Sequence, residues 1–239
     1  MTMAQDKSLA NQLALVTGAS RGIGAATAEA LAARGAHVVL TARTADGMEV
    51  VEQRIFDAGG AATIAPLDLT QNDAIAKLAA AIAERWQALD VLVLNAATLG
   101  TLGAVPAIDP KEMAHVLTLN VSAQAALIAA FDPLLRRAGA GKVIALTSSV
   151  GRNPRAYWGL YGASKAALET LVGAYGDEVA AISRVRTAIL DPGATRTTMR
   201  ARAYPGEDPA SVKEPAVVAE RIAAMAEAGF EDGHRERVG

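Results

Sequence analysis

The stretch Leu13-Ala14-Leu15-Val16-Thr17-Gly18-Ala19-Ser20-Arg21-Gly22-Ile23-Gly24 decides the fold. It begins as a short apolar run, which is typical of a buried strand, and then turns through three glycines. Helical periodicity follows over residues 23–34 and ends at Gly35. Glycines between a strand and a helix let the backbone approach a ligand closely, and the amides and dipole of the helix favour a pyrophosphate. An ordinary tight turn is the alternative, which a glycine triplet alone does not exclude.

Apolar strands and periodic helices alternate along the rest of the chain. The pattern predicts strands at 13–17, 36–41, 61–66, 91–95, 142–148 and 185–190. It predicts helices at 23–34, 45–58, 72–86, 110–117, 121–138, 161–182 and 215–229. Continuous apolar strands that alternate with helices indicate an α/β fold whose doubly wound parallel sheet is covered on both faces. Because no linker or repeat interrupts the pattern, residues 1–239 are predicted to form a single domain.

Composition argues against several classes of function. The net charge of −2, from 23 basic and 25 acidic residues, gives no general attraction for nucleic acid or anionic membranes. The absence of cysteine excludes disulfides and thiolate metal sites and fits a reducing cytoplasm. Residues 1–12 lack the apolar core of a signal peptide, and the apolar stretch 123–131 is too short to span a bilayer. We therefore expect a cytoplasmic protein with no nucleic-acid or membrane partner. No metal site is expected from the scattered histidines His37, His115 and His234.

Three polar residues have the chemistry of an acid–base site. Tyr161 and Lys165 are four residues apart, so they share one face of a helix. A phenol with a pKa of about 10 is a weak base at neutral pH, and an ammonium within reach lowers that pKa. Ser148 ends a predicted strand, at the edge where open α/β sheets bind ligands, and its hydroxyl can stabilise a carbonyl oxygen. By sequence alone Ser149 is its rival. Taken singly, such a Tyr-x-x-x-Lys pair is common on exposed helices, and such serines are commonly turn residues.

Taken together, these motifs resemble those of the short-chain dehydrogenases/reductases. Thr-Gly-x-x-x-Gly-Ile-Gly at residues 17–24 is similar to the cofactor motif of that family, and differs from the usual Gly-x-Gly-x-x-Gly fingerprint. Further motifs follow in the family's order over nearly the whole chain. They are Asp68-Leu69, Asn95-Ala96-Ala97, Asn120, Ser148, Tyr161-x-x-x-Lys165 and Asp191-Pro192-Gly193-Ala194-Thr195. Within the family, residues 148–161 are similar to the bacterial YciK group, whose own function is poorly assigned.

The resemblance implies a Rossmann fold and reversible hydride transfer between a nicotinamide and a small carbonyl or alcohol substrate. Tyr161 would exchange the proton, and Ser148, which the family spacing selects, would position the oxygen. Lys165 would lower the pKa of Tyr161 and bind the ribose, while Asn120 would support a proton relay through water. The implied cofactor contacts are Gly18, Ser20, Arg21, Gly22, Ile23, Gly24, Arg43, Asp68, Leu69, Asn95, Ala96, Tyr161, Lys165, Pro192, Gly193 and Thr195.

Two features depart from the family pattern. Ala97 stands where the family has a glycine, so either its methyl group is accommodated near the cofactor ribose or the turn differs slightly. At the C-terminus only Phe230-Glu231-Asp232-Gly233 remains of the family's closing signature, before a charged tail. The sequence therefore predicts six strands and puts a seventh in doubt.

The residues after the second strand bear on the choice of cofactor. The chain reads Leu40-Thr41-Ala42-Arg43 there, and it lacks the acidic residue that would bind a ribose 2′-hydroxyl and select NAD. Arg43 can instead pair with a 2′-phosphate, and Arg21 can join it. We therefore expect NADP(H) to be preferred over NAD(H).

The polar segment 194–214 is long for an ordered connection, and we expect it to be a mobile lid that orders when the cofactor binds. Its arginines either meet an anionic substrate or, as is favoured, face solvent: Arg196, Arg200 and Arg202. Two aromatic residues either line the substrate pocket or pack in the core: Tyr157 and Trp158.

Helix 161–182 carries an apolar stripe, and helix 121–138 is apolar nearly all round at its start, over residues 121–130. This excess predicts a homodimer or homotetramer, with a wholly intramolecular core as the alternative. The stripe consists of Leu168, Leu171, Val172, Tyr175 and Val179.

The competing function is a nucleotide-binding regulator without turnover. The intact catalytic residues argue against it, because a pure binder has no need of Tyr161.

Overall fold

A parallel sheet of seven strands forms the centre of the structure, a computed structural model that describes residues 7–71 and 73–239. The expectations for residues 1–6 and for a helix start at Asn72 lie outside the described residues. The strands are β1 (Leu13–Thr17), β2 (His37–Ala42), β3 (Ala61–Pro66), β4 (Val91–Leu94), β5 (Lys142–Leu146), β6 (Arg186–Asp191) and β7 (His234–Arg237). Their order is β3-β2-β1-β4-β5-β6-β7, and all neighbours are parallel. The predicted doubly wound α/β fold is confirmed.

Helices cover both faces of the sheet, which explains why the inner strands are apolar throughout. The helices are α1 (Gly22–Ala33), α2 (Asp46–Asp57), α3 (Ala74–Arg85), α4 (Pro110–Leu117), α5 (Ala123–Arg137), α6 (Gly159–Ala180), α7 (Thr198–Ala203) and α8 (Pro215–Ala228). One core contains α1, α2 and α8, and the other contains α3, α5 and α6. Because β1 lies between β2 and β4, the strand order reverses beside it, and ligands of open α/β sheets bind at the carboxyl ends of such strands.

Helices α4 and α5 are joined by a π-helical turn at Thr118–Ser122, so that the chain is helical from Pro110 to Arg137. This run has the length and hydropathy of a membrane-spanning helix. Its larger side chains, however, are buried in the same core as the sheet, among them Leu127, Phe131 and Leu134. The run is therefore a core helix of the domain.

The doubt about a seventh strand was wrong, because β7 pairs with β6 from Ala188↔His234 to Asp191↔Arg237. Its sequence, His-Arg-Glu-Arg, has none of the apolar residues by which the other strands were predicted. Strand alternation sends its charges to opposite faces, where Arg235 meets Glu169 on α6 and Glu236 meets Arg221 on α8. Ion pairs thus replace apolar packing, which suits a charged edge strand.

The segment 194–214 contains the short helix α7 and a 3-10 turn at Pro209–Ser211. Its two ends are joined by a β-bridge between Thr195 and Lys213, so it forms a closed loop at the carboxyl edge of the sheet. The predicted lid movement stays a prediction.

The apolar stripe of α6 lies mostly inside the protein. Leu168, Val172, Tyr175 and Val179 belong to the core beneath α6, and only Leu171 is exposed. The stripe is therefore not the excess apolar surface from which an oligomer was predicted, and the homodimer or homotetramer stays a prediction.

Candidate active site

The turn after β1 is shaped by glycines that leave no room for side chains. Gly18 has a φ of +67°, and a Cβ there would lie 2.9 Å from Asn95 Nδ2. A Cβ at Gly24 would collide with the carbonyl oxygen of Gly18. The Arg21 side chain does not cap the N-terminus of α1. The first amides of this helix therefore face the turn without a hydrogen bond from a capping side chain. This cradle of backbone at a helix N-terminus fits a pyrophosphate. The same turn contains the half-buried Ser20, Gly22 and Ile23.

Thr17, to which the sequence analysis gave no role of its own, ties this turn to the end of β4. The Thr17 hydroxyl donates to the Val93 carbonyl (3.0 Å) and accepts from the amides of Asn95 (2.9 Å) and Ala96 (3.0 Å). Asn95 Nδ2 in turn donates to the Thr17 carbonyl (2.7 Å). Thr17 is completely buried, and its position at a strand end was the available signal. Thr17 therefore fixes the two loops between which the predicted cofactor site lies.

Ala97, which stands where the family has a glycine, does not strain the backbone through a positive φ. The described non-glycine residues with positive φ are Asn11, Asp73 and Tyr157, so the Ala97 backbone avoids the left-handed region. The loop after β4 accepts its methyl group without an unfavourable φ.

Asp68, Leu69 and Arg43 lie together at the end of β3 and β2. The Asp68 carboxylate accepts hydrogen bonds from the Thr70 amide (2.9 Å) and hydroxyl (2.7 Å), and these bonds, assisted by the charge of Arg43, hold the pKa of Asp68 below its usual value. Leu69 is buried, whereas Arg43 is exposed. Arg21 is likewise exposed in the glycine turn. Both guanidinium groups are accessible to an anionic ligand.

Tyr161 and Lys165 lie on the first turns of α6, which pack against the end of β5. Lys165 Nζ donates to the Leu146 carbonyl (2.8 Å) and lies 5.7 Å from the centre of the Tyr161 ring. The Tyr161 hydroxyl contacts Met199 Sδ at 3.9 Å. The expected shared helix face is confirmed, and both side chains are buried.

Burial is the largest influence on the pKa values of both Tyr161 and Lys165. Burial raises the pKa of the Tyr161 phenol above its ordinary value, and the negative charge of Asp191 acts in the same direction. Burial also lowers the pKa of Lys165 to about 8, against the opposing effect of Glu169. In this arrangement desolvation of the phenolate dominates the pKa of Tyr161, and the lowering of that pKa by Lys165 stays a prediction. Further positive charge is needed before Tyr161 can act as a base.

Ser148 follows the carboxyl end of β5, two residues beyond the carbonyl that Lys165 binds. It has an extended backbone (φ −156°, ψ 148°) and is half-buried, whereas its rival Ser149 begins the 3-10 turn Ser149–Gly151. The Ser148 amide carbonyl accepts from Gly151 N (2.9 Å), which closes that turn. The predicted triad of Ser148, Tyr161 and Lys165 is thus gathered where α6 meets the end of β5.

Asn120 is completely buried within the π-helical turn, and its side chain supports the architecture of the site. Its Oδ1 accepts from the Thr98 amide (2.8 Å), and its Nδ2 donates to the Thr98 carbonyl (2.8 Å) and to Ser164 Oγ (3.0 Å). Ser164 Oγ donates in turn to the Tyr161 carbonyl (2.7 Å). Because both amide protons are used in this way, the side chain of Asn120 joins the loop after β4 to α6. A role in a proton relay stays a prediction.

Glu169, one turn beyond Lys165, is a buried carboxylate that the sequence analysis missed. It accepts from the Thr147 hydroxyl (2.6 Å), from Arg152 Nε (2.7 Å) and from Arg235 Nη1 (2.7 Å). Burial acts to raise its pKa, but the bonds from Thr147, Arg152 and Arg235 hold the pKa of Glu169 below its usual value. Thr147 directly precedes Ser148, so Glu169 braces the strand end from which Ser148 extends.

The other side of Tyr161 is apolar. Tyr161 forms a small cluster with the buried Leu99 and Val150 and with four partly buried residues, which are Leu102, Trp158, Met199 and Ala203. The ring centres of Trp158 and Tyr161 are 6.1 Å apart, with the rings edge to face, whereas Tyr157 is 65% exposed. Trp158 thus lies in the wall of the site and Tyr157 lies outside it.

Pro192, Gly193 and Thr195 lie after β6, beside the start of the closed loop. Gly193 has a φ of +64°, and a Cβ there would lie 2.8 Å from Lys213 Nζ. The buried Thr195 hydroxyl donates to the Pro192 carbonyl (3.0 Å). A Cβ at Gly22 would lie 3.4 Å from Thr197 Cγ2, so the loop reaches the glycine turn. All the predicted regions of the site therefore meet along one edge of the sheet.

The sequence of the chain matches a known protein family. The family model described as short chain dehydrogenase matches residues 12–208. The chain belongs to the short-chain dehydrogenases, a family of oxidoreductases. It is 37% identical to the uncharacterized oxidoreductase YciK of Escherichia coli K12 over 211 residues, which are 87% of this chain and 83% of YciK.

Solved structures agree with the family. A structure described as a short chain dehydrogenase from Pseudomonas syringae is 36% identical, with a TM-score of 0.94 over 99% of this chain and 98% of the other. Another, from Shigella flexneri and complexed with NADP, is 33% identical, with a TM-score of 0.93 over 98% of this chain and 99% of the other. The resemblance inferred from the motifs, including the YciK group, is confirmed.

Proposed function

We propose that this short-chain dehydrogenase is an NADP(H)-dependent enzyme that interconverts a carbonyl and an alcohol. The observation that carries the proposal is the bond from Lys165 Nζ to the Leu146 carbonyl (2.8 Å), which holds the helix of Tyr161 against the strand end leading to Ser148. The glycine cradle after β1 opens at the same edge of the sheet. Binding and acid–base groups therefore converge where doubly wound sheets take their ligands.

The chain's own residues account for the handling of the proton. When bound, NADP(H) supplies or accepts a hydride, and its oxidised form carries a positive nicotinamide charge. In reduction, Tyr161 donates its proton to the substrate oxygen, and the pKa of the phenol, which burial raises, keeps that proton in place at neutral pH until the oxygen takes it. In oxidation, Tyr161 must accept the proton, so the positive charge of the cofactor and of Lys165 has to offset the desolvation of the phenolate. Ser148 donates to the same oxygen and orients it.

The preference for NADP(H) is supported by the exposed Arg43 and Arg21 and by the lack of an acidic residue at the end of β2, where Ala42 and Arg43 stand. Both guanidinium groups are accessible to a ligand, and the charge of Arg43 contributes to lowering the pKa of Asp68. Guanidinium groups bind phosphate through paired, charge-assisted hydrogen bonds. The similar structure from Shigella flexneri, which is complexed with NADP, is consistent with this choice.

The competing proposal is a regulator that binds NADP(H) without turnover. A panel of carbonyl compounds with NADPH and NADH, and of alcohols with NADP and NAD, separates the two by the change in cofactor absorbance. We expect turnover of at least one compound, faster with NADPH than with NADH. Tight NADPH binding by calorimetry without turnover of any compound would favour the regulator.

A further inference from the structure

The surface that meets the Tyr161 hydroxyl is apolar and adaptable. The phenol oxygen touches the thioether of Met199 at 3.9 Å, and the surrounding cluster contains Leu102 and Trp158. Met199 therefore borders the hydroxyl that a substrate oxygen has to reach, and its flexible side chain adjusts to the shape of apolar groups. Tyr204 extends the wall, because its ring centre is 5.6 Å from that of Trp158.

Two of the four arginines near this wall form ion pairs within the protein. Arg200 stacks on Tyr204, with its guanidinium carbon 3.6 Å from the ring centre, and it makes two hydrogen bonds to Glu207. Arg196 forms an ion pair with Glu214. A carboxylate or phosphate on the substrate would have to displace these partners or use the exposed Arg155 and Arg202 at the surface. An anionic substrate would therefore depend on Arg155 and Arg202, which are exposed to solvent, and Arg155 already donates to the Tyr204 hydroxyl (3.4 Å).

An exposed apolar rim continues the wall to solvent. Tyr157 is 65% exposed and Val105 is 66% exposed. The Gly103 amide donates to the Tyr157 carbonyl (3.0 Å), and a Cβ at Gly159 would lie 2.9 Å from Val105 Cγ2, so the two loops adjoin. Tyr157 also has a φ of +70°, an unfavourable conformation for a tyrosine that persists only where its surroundings hold it.

We propose that the substrate is an uncharged ketone or secondary alcohol with an extended apolar chain. Its oxygen reaches Tyr161, and its chain runs past Met199 and Trp158 and leaves over the rim of Tyr157 and Val105. The proposal rests on the proposed function for the chemistry at Tyr161, while the preference for an apolar chain concerns binding alone. An apolar cluster around the buried Tyr161 hydroxyl, with exposed apolar side chains on the adjoining loops, fits such a chain better than it fits a compact polar substrate.

The test uses Trp158 as its own reporter. The chain has two tryptophans, so Trp86→Phe leaves Trp158 as the only one. In the full-length Trp86→Phe protein saturated with NADP, quenching of Trp158 fluorescence is titrated with 2-butanone, 2-octanone and 2-oxooctanoate. Four additional methylenes are worth about 0.8 kcal/mol each if fully buried, so partial burial predicts that 2-octanone binds about ten- to a hundredfold more tightly than 2-butanone. We expect 2-oxooctanoate to bind more weakly than 2-octanone.

Variants of the rim provide the control. Tyr157→Asn removes the apolar side chain and keeps a residue that tolerates positive φ, so it should reduce the advantage of 2-octanone at least threefold. Phe56→Asn removes another exposed aromatic residue, on α2 and 72% exposed, and should leave the advantage unchanged. Equal binding of the two ketones, tighter binding of 2-oxooctanoate, or an unchanged advantage in Tyr157→Asn would overturn the proposal. A wild-type dimer that dissociates in Tyr157→Asn, with ketone binding unchanged, would also overturn the proposal, because the rim would then be a contact with a second copy of the chain. Because binding is read without turnover, a chain-length preference in an inactive protein would contradict the proposed function and leave this inference standing.

Discussion

Glu169 joins α6, the strand end before Ser148 and the edge strand β7, and Glu169→Gln removes its charge while keeping its shape. The variant loses two charge-assisted hydrogen bonds, from Arg152 and Arg235, and retains an oxygen for the Thr147 hydroxyl. Such bonds are worth about 1.5–3 kcal/mol each when shielded. The two arginine side chains are 51% and 40% exposed, so water recovers part of the loss and about 1 kcal/mol remains for each. The total of about 2 kcal/mol predicts a melting temperature lower by about 4–8 °C.

The effect should depend on pH with a definite sign. Because the pKa of Glu169 is held below its usual value in the folded protein, its charge stabilises the fold above the ordinary carboxyl pKa of about 4.3. This stability is lost as the pH falls through the folded-state pKa. The difference between wild type and Glu169→Gln should therefore be complete at pH 7 and shrink below about pH 4.

Differential scanning calorimetry at several pH values measures this difference. Glu220→Gln is the matched control, because Glu220 pairs with Arg34 at 2.8 Å but its own side chain is 63% exposed. We expect that control to change the melting temperature by no more than about 2 °C. A Glu169→Gln protein as stable as wild type at pH 7, or a difference that does not shrink below about pH 4, would refute the reasoning.

Three further predictions concern the cofactor site and assembly. Arg43→Ala should weaken NADPH binding about ten- to a hundredfold and leave NADH binding unchanged in calorimetry, and equal wild-type affinities for the two would contradict the assignment. Gly18→Ala should lower the free energy of unfolding by about 1–2 kcal/mol more than Gly59→Ala, because both sites have positive φ but only Gly18 has neighbours, Asn95 and Ala96, within 3.1 Å of an added Cβ. It should also weaken NADPH binding, and denaturant titration that gives equal losses for both variants would count against a crowded cradle. Light scattering at micromolar concentration should give a multiple of the 24.5 kDa chain mass, and a mass of one chain would rule out the predicted oligomer.

Apolar periodicity predicted most of the fold because six strands and the long helices are defined by burial. Helix α4, whose Asp109 cap accepts from the amides of Lys111 and Glu112, was predicted to the residue. Strand β7 was missed because ion pairs to α6 and α8 fix it, and such partners are distant in the sequence. For the same reason the central position of Glu169 on α6 could not be foreseen.

For the site, too, some features were predictable from the sequence and others depend on the tertiary structure. Spacing along α6 and the order of motifs located Ser148, Tyr161 and Lys165 correctly at one edge of the sheet. The direction of the Tyr161 pKa was not predictable, because desolvation depends on Met199 and the other neighbours that the closed loop brings onto the phenol. Asn120 shows the same limit, since its hydrogen bonds to Thr98 and to Ser164 form only in the tertiary structure.

The most direct test of the central claim compares Tyr161→Phe with wild type in both turnover and NADPH affinity, on any substrate that the wild type accepts. The variant removes one buried oxygen, whose described contact is Met199, so the fold and the cofactor site should survive. If Tyr161 transfers the proton, turnover should fall by about 10²–10⁴ while NADPH affinity changes no more than a few-fold. Lys165→Ala, as a comparison, should impair both quantities. A Tyr161→Phe enzyme that keeps the full wild-type rate would contradict the mechanism.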